Sequence, residues 1–127
     1  MSTEPGTLIV GLVQMQMSAD PEQNLERAIA SVRDAKAQGA TLVCLPELFR
    51  SRYFCQGESA EPFSLAEAVP GPTTQRLAKL ADELGITLIA SLFEARAPGI
   101  YHNTAAVLDA GAGYLGKYRK MHIPDDP

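Results

Sequence analysis

The stretch Thr41-Leu42-Val43-Cys44-Leu45-Pro46-Glu47-Leu48-Phe49 decides the fold. Its first five residues are too few for a helix and rich in strand formers, and Pro46, which has no N–H for a sheet ladder, ends the strand. Upstream, Asp20-Pro21-Glu22-Gln23 reads as an N-cap, a proline at the first helical position and a glutamine placed to complete a capping box. Leu25, Ala28, Ile29, Val32 and Ala35 then recur at three- and four-residue steps, with Glu26, Arg27, Arg33 and Lys36 largely on the other side, and Gly39 is the stop. Before that helix, Leu8 to Met15 is a nearly continuous apolar run containing Val10, Leu12 and Val13, which predicts a strand buried on both faces. Strand, helix, strand in this order predicts a right-handed parallel crossover.

Downstream, residues 46 to 70 lack periodicity and carry glycine, serines, acidic residues and prolines, which predicts a long loop with short helical turns, of the kind that serves a site. Gly71-Pro72-Thr73-Thr74 starts a second helix with Leu77, Leu80, Ala81 and Leu84 on one face, and Gly85 stops it. Ile86 to Phe93 predicts a third buried strand. Tyr101 to Leu108 and Tyr114 to Tyr118 flank the glycine-containing turn Asp109 to Gly113 as a hairpin. The predicted fold class is α/β, with an antiparallel pair added to a parallel core in one mixed sheet.

Composition narrows the functional classes. At 127 residues the chain suits one domain. No apolar stretch is long enough to span a bilayer, and residues 1 to 7 lack the basic start of a secretory signal, so no membrane partner and a cytoplasmic location are expected. A formal charge of −4 argues against a nucleic-acid partner. Two cysteines, Cys44 and Cys55, fit neither a disulfide framework nor a metal-ligand spacing; no metal is expected.

Ligands in open α/β sheets gather beyond the carboxyl ends of parallel strands, and Glu47 stands two residues past such an end. It reads either as a loop carboxylate bound to a backbone amide or as a general base. Lys117-Tyr118-Arg119-Lys120 near the other end of the sequence reads either as edge-strand charge that blocks strand addition or, at Lys120, as a functional ammonium.

Taken together, the opening strand ending in Gln14, Leu45-Pro46-Glu47, Gly71-Pro72-Thr73-Thr74, Asn103-Thr104 and Gly116 through His122 resemble, in content and order, the carbon-nitrogen hydrolase family, or nitrilase superfamily. The stretch from Leu48 to Gln56 and the ending from His122 to Pro127 most resemble the branch acting on carbamoylated diamines. The resemblance covers nearly the whole chain. It implies that residues 1–127 are the N-terminal part of an α-β-β-α sandwich. It also implies a Glu-Lys-Cys triad in which Glu47 is the general base and Lys120 stabilises the tetrahedral intermediates, a substrate-pocket role for Tyr53, no cofactor, a small-molecule amide or carbamoylated amine as substrate, and a homo-oligomeric full-length form.

The sequence departs from that family pattern at the nucleophile, because the resemblance places the cysteine and a further glutamate beyond Lys120. The expectation is therefore a partial domain that ends before the nucleophile and is inactive by itself. Cys44, inside a strand, reads as a small apolar residue, and Cys55 as a structural or pocket-side thiol. His102 and His122 read as hydrogen-bonding residues, and Arg50 and Arg52 as exposed loop charge. Two other readings remain open: another amide substrate within the family, an omega-amide or a ureido acid, and a non-catalytic product that acts by association through exposed apolar faces.

Overall fold

A computed structural model describes residues 4–54 and 61–124. Its elements are β1 (Val10–Leu12), α1 (Pro21–Ala37), β2 (Leu42–Cys44), a 3-10 turn (Glu61–Leu65), α2 (Pro72–Leu84), β3 (Thr87–Ala97), β4 (Ile100–Asp109) and β5 (Gly113–Arg119). The strands form one mixed sheet in the order β1-β2-β3-β4-β5, with β1, β2 and β3 parallel and β3, β4 and β5 antiparallel. The antiparallel part is larger than the sequence predicts, because β3 runs on past Phe93 and turns at Pro98-Gly99 into β4.

Both helices cover one face. Leu25, Ala28 and Val32 of α1 and Leu77, Leu80 and Ala81 of α2 close over Val43, Leu88, Ala90, Leu92, Ala106 and Leu108. Each fully buried leucine in this layer contributes about 1.5–3 kcal/mol. The predicted third buried strand is buried on one face: along β3 the buried residues alternate strictly, with Leu88, Ala90, Leu92 and Glu94 pointing to the helices, and Ile89, Ser91 and Phe93 to the open face.

The apolar run at β1, predicted to be buried on both faces, is not. Val10 and Leu12 are 44% and 77% exposed, while Gly11 faces α1, where an added Cβ would stand 2.9 Å from that of Ala35. The apolar run is therefore an edge strand whose inward position is a glycine because the helix lies so close. Around α1, Glu22 N–H donates to Asp20 Oδ1 at 3.0 Å as predicted. The Asp20 N–H goes to Ser18 Oγ at 3.1 Å rather than to Gln23, so the predicted capping box does not form. At α2 the N-cap is a glycine with no side chain, and the Thr74 hydroxyl alone ties the helix start, with Gly71 N–H donating to Thr74 Oγ1 and that hydroxyl donating back to the Gly71 carbonyl. Among the described residues, no helix is long and apolar enough to cross a membrane.

Candidate functional site

The parallel pairing of β2 with β3 ends when Leu45 N–H donates to the Ile89 carbonyl, and the chain turns over residues 47–50. Glu47 opens that turn at the carboxyl end of the sheet. Leu48, buried at 2% exposure, holds φ at 51°, a left-handed conformation that costs a non-glycine residue about 1–2 kcal/mol. Its N–H donates to Ser91 Oγ at 2.9 Å, which fixes the turn to β3.

Arg50 secures the far side of the turn. Its guanidinium pairs with Glu22 and Glu67, each at 2.7 Å, and donates to Thr73 Oγ1 at 3.0 Å, while its carbonyl accepts from the fully buried Asn24. The sequence predicts exposed loop charge here. Instead Arg50 ties the loop to the first turns of both helices, because three partners from separate segments converge on it. Glu47 and its neighbours are thereby carried on backbone held from β3, α1 and α2.

Glu47 meets residues distant in sequence. Lys120 Nζ donates to Glu47 Oε1 at 2.9 Å, and Asn103 Nδ2 donates to the same oxygen at 2.7 Å. Asn103 is itself positioned twice over: its Oδ1 accepts from Ser91 Oγ at 3.4 Å, and its carbonyl accepts the Lys120 N–H at 2.8 Å. Oε1 thus holds two donors, while Oε2 carries no hydrogen bond among the described residues. The Lys120 hydrogen bond lowers the Glu47 pKa from its ordinary value, and Asn103 and the charge of Lys120 act the same way against a partial burial that raises it. An ionised carboxylate with one anchored and one open oxygen is a competent proton acceptor, and the ammonium beside it can meet a developing negative charge.

On the other face of the sheet stands a residue that the sequence reading missed. Glu94 is 2% exposed and receives Thr104 Oγ1 at 2.8 Å, Arg119 Nε and Nη2 at 2.8 and 3.0 Å, and the ammonium of Lys117. Arg119 first, with Lys117 and Thr104, lowers its pKa to about 2 against the opposing effect of burial. Lys117 and Arg119 are therefore partners of a buried carboxylate, not solvated edge charge. The signal was available: Glu94 occupies a core-facing position in the Leu88, Ala90, Leu92 alternation, and two cations stand two residues apart on β5.

The remaining candidates separate. Cys44 is a partly buried free thiol in β2, and Cys55 lies outside the described residues. Tyr53 is 43% exposed on the loop that follows Glu47. His102 does not bear out a hydrogen-bonding role at Nε2, which is buried without a partner among the described residues; the oxygens of Glu94, its opposite number on β3, are occupied by Thr104, Lys117 and Arg119. Among the described residues no group of three or more potential ligands could hold a metal. A hollow of about 210 Å³ beside the turn is lined by Leu48, Arg50, Glu67 and Phe93 but not by Glu47 or Lys120.

A sequence model of the carbon-nitrogen hydrolase family matches residues 9–127. Over 128 residues the chain is 38% identical to an N-carbamoylputrescine amidase of Solanum lycopersicum, covering 100% of this chain and 42% of that protein. It is 39% identical over 116 residues to omega-amidase NIT2 of Homo sapiens, covering 91% and 41%. A carbon-nitrogen hydrolase from Helicobacter pylori G27 matches the fold with a TM-score of 0.86 at 36% identity, over 93% of this chain and 41% of that one. An amidase from Nesterenkonia sp. AN1, whose structure shows acrylamide added at its active-site cysteine, matches with a TM-score of 0.69 at 27% identity, over 94% and 47%. The chain thus spans about two fifths of the length of the curated relatives it matches.

Proposed function

The chain belongs to the carbon-nitrogen hydrolase family, and from that premise we propose that residues 1–127 supply two thirds of an amidase active site, with Glu47 as general base and Lys120 as stabiliser of the tetrahedral intermediates. The observation that carries this reading is the 2.9 Å contact between Lys120 Nζ and Glu47 Oε1, a pair 73 residues apart, reinforced by Asn103 on the same oxygen. The nucleophile in this reading is a cysteine outside residues 1–127, so the 127-residue chain does not turn over by itself. Tyr53 contributes to the substrate pocket. The pathway is cytoplasmic polyamine synthesis, and the full-length form is a homo-oligomer.

The substrate is N-carbamoylputrescine, a reading supported by the 38% identity to the Solanum lycopersicum enzyme. Glu47 takes the thiol proton, and the thiolate attacks the ureido carbon to give a tetrahedral oxyanion beside Lys120. Collapse expels the terminal nitrogen as ammonia, with the proton returned from Glu47, and leaves a carbamoyl thioester. Glu47 then takes a proton from water as the water oxygen attacks the thioester carbon; the C–S bond breaks, the proton passes from Glu47 to the departing sulfur, and an N-substituted carbamate is released. The carbamate loses carbon dioxide to give putrescine. The 39% identity to the human protein supports a second reading, hydrolysis of an omega-amide through the same steps.

The test joins these residues to the cysteine-bearing remainder of the protein and measures ammonia release from N-carbamoylputrescine and from the monoamide of a dicarboxylic acid. Glu47→Gln and Lys120→Ala should each lower kcat by roughly 10²–10³ with little change in KM, as loss of a transition-state contact does. Retained kcat in either variant refutes its role. Preference for the dicarboxylic monoamide replaces the first substrate with the second.

A further inference from the structure

We propose that Glu94 is a positioning residue: by gripping Lys117 and Arg119 on the helix-side face of β5, it fixes the facing of that strand and sets the next residue, Lys120, against Glu47. The inference rests on the reading of Glu47 and Lys120 as the working pair, but its geometry stands independently of any substrate.

Side chains alternate along a strand, so a slip of one residue exchanges the two faces. β5 is open to such a slip, because its pairing with β4 is interrupted between Val107 and Leu108, where Gly116 and Tyr114 are the successive partners. Beyond that irregularity the register resumes as Ala106 with Lys117, Ala105 with Tyr118 and Thr104 with Arg119. The side chains that report this register are Lys117 and Arg119, and both end on one carboxylate. Arg119 makes a two-point contact with Glu94, through Nε to Oε1 and Nη2 to Oε2, which constrains orientation as well as distance. Lys117 also donates to the Val69 carbonyl, so the grip extends to the segment that leads into α2. Tyr118, between the two cations, is 62% exposed on the opposite side. Lys120 is the next residue on that side, and its N–H continues the pairing to the carbonyl of Asn103.

A buried ion cluster is a costly way to stabilise a core, and apolar residues of similar volume would serve at least as well. Glu94 instead offers specificity. A β5 displaced by one residue would leave a carboxylate at 2% exposure facing Tyr118 and bring Lys120 to the helix side. The arrangement excludes the displaced register by leaving a buried charge unmatched.

The test follows the carboxyl carbon of Glu47 by NMR titration in the 127-residue chain, with no substrate and no catalysis involved. Failure of the amidase reading therefore leaves this measurement intact. In Glu94→Gln the Glu47 midpoint should move up toward the ordinary carboxylate value, because Lys120 is no longer held on Oε1. The direct electrostatic effect has the opposite sign, since removing a negative charge favours ionised Glu47, so an upward movement reports loss of position. Leu108→Ala, which opens the same core without touching the cluster, should leave the midpoint low. An unmoved or lowered Glu47 midpoint in folded Glu94→Gln overturns the proposal, as does an equal rise in Leu108→Ala. Should Glu94→Gln not fold, Glu94→Asp, which keeps the charge and withdraws the carboxylate by one methylene, decides by the same reading.

Discussion

Acidification should remove stability through Glu94, and the amount follows from its surroundings. An unfolded glutamate takes its proton near 4.5, whereas in the folded chain Arg119, Lys117 and Thr104 keep this carboxylate charged down to about 2. Between those values the unfolded state binds the proton and the folded state does not, so stability falls as pH falls. The contribution is fully present above about pH 4.5 and disappears as pH approaches 2. At about 1.4 kcal/mol per pH unit of displacement, the separation amounts to ~3 kcal/mol, of which ~2 kcal/mol is lost by pH 3. No large solvent discount applies to a residue that is 2% exposed. The assay is urea unfolding of the parent chain and Glu94→Gln at pH 7 and pH 3. Glu83 also has a lowered pKa, but it is common to both proteins and cancels in the difference. Glu47, held low by Lys120 in the parent and released in Glu94→Gln, adds its acid sensitivity to the parent alone, so the stability gap between parent and variant should narrow by at least ~2 kcal/mol between pH 7 and pH 3. A gap that stays constant would mean that the cluster does not hold the folded carboxylate below its ordinary pKa, and the ion-cluster argument would fall with it.

Two further predictions concern the frame and the site. Gly71→Ala should destabilise the chain by about 1–3 kcal/mol in urea unfolding, because the added Cβ would lie 2.3 Å from the Ala68 carbonyl oxygen at a backbone angle that is otherwise unstrained; unchanged stability would show that the 68–71 turn relaxes freely. Asn103→Ala removes one of the two donors on Glu47 Oε1, so the Glu47 midpoint should rise while remaining below the ordinary value through Lys120. A titration identical to that of the parent chain would show that Asn103 contributes nothing to the carboxylate.

How far the sequence revealed this arrangement depended on the range of the interactions concerned. Local signals sufficed for both helices, since Asp20, Gly39, Gly71 and Gly85 act on backbone within a turn or two. The parallel order was legible because a helix between two short strands leaves little else possible. Exposure was misread at β1, where an apolar run says nothing about whether a second layer covers it, and Val10 and Leu12 lie on the uncovered face. Glu47 and Lys120 were identifiable only as parts of a family pattern, since no local rule joins residues 73 positions apart. Arg50 and Glu94 were misjudged or missed for one common reason. Their partners come from several elements, and a charge reads as solvated until the fold brings its counter-charges to it.

The two glutamates differ in the number of donors they hold, and that difference fits two tasks. Glu94 receives four hydrogen bonds across both oxygens, and such saturation makes a carboxylate a poor proton acceptor and a firm anchor. Among the described residues Glu47 receives two, both at Oε1, and is half-exposed, so its second oxygen is available to take a proton. The cations divide in the same way. Lys117 and Arg119 are committed to the helix side, and the alternation of β5 leaves Lys120 for the open side. One strand thus serves an anchor and a reactive pair, and the side-chain period of two keeps them apart.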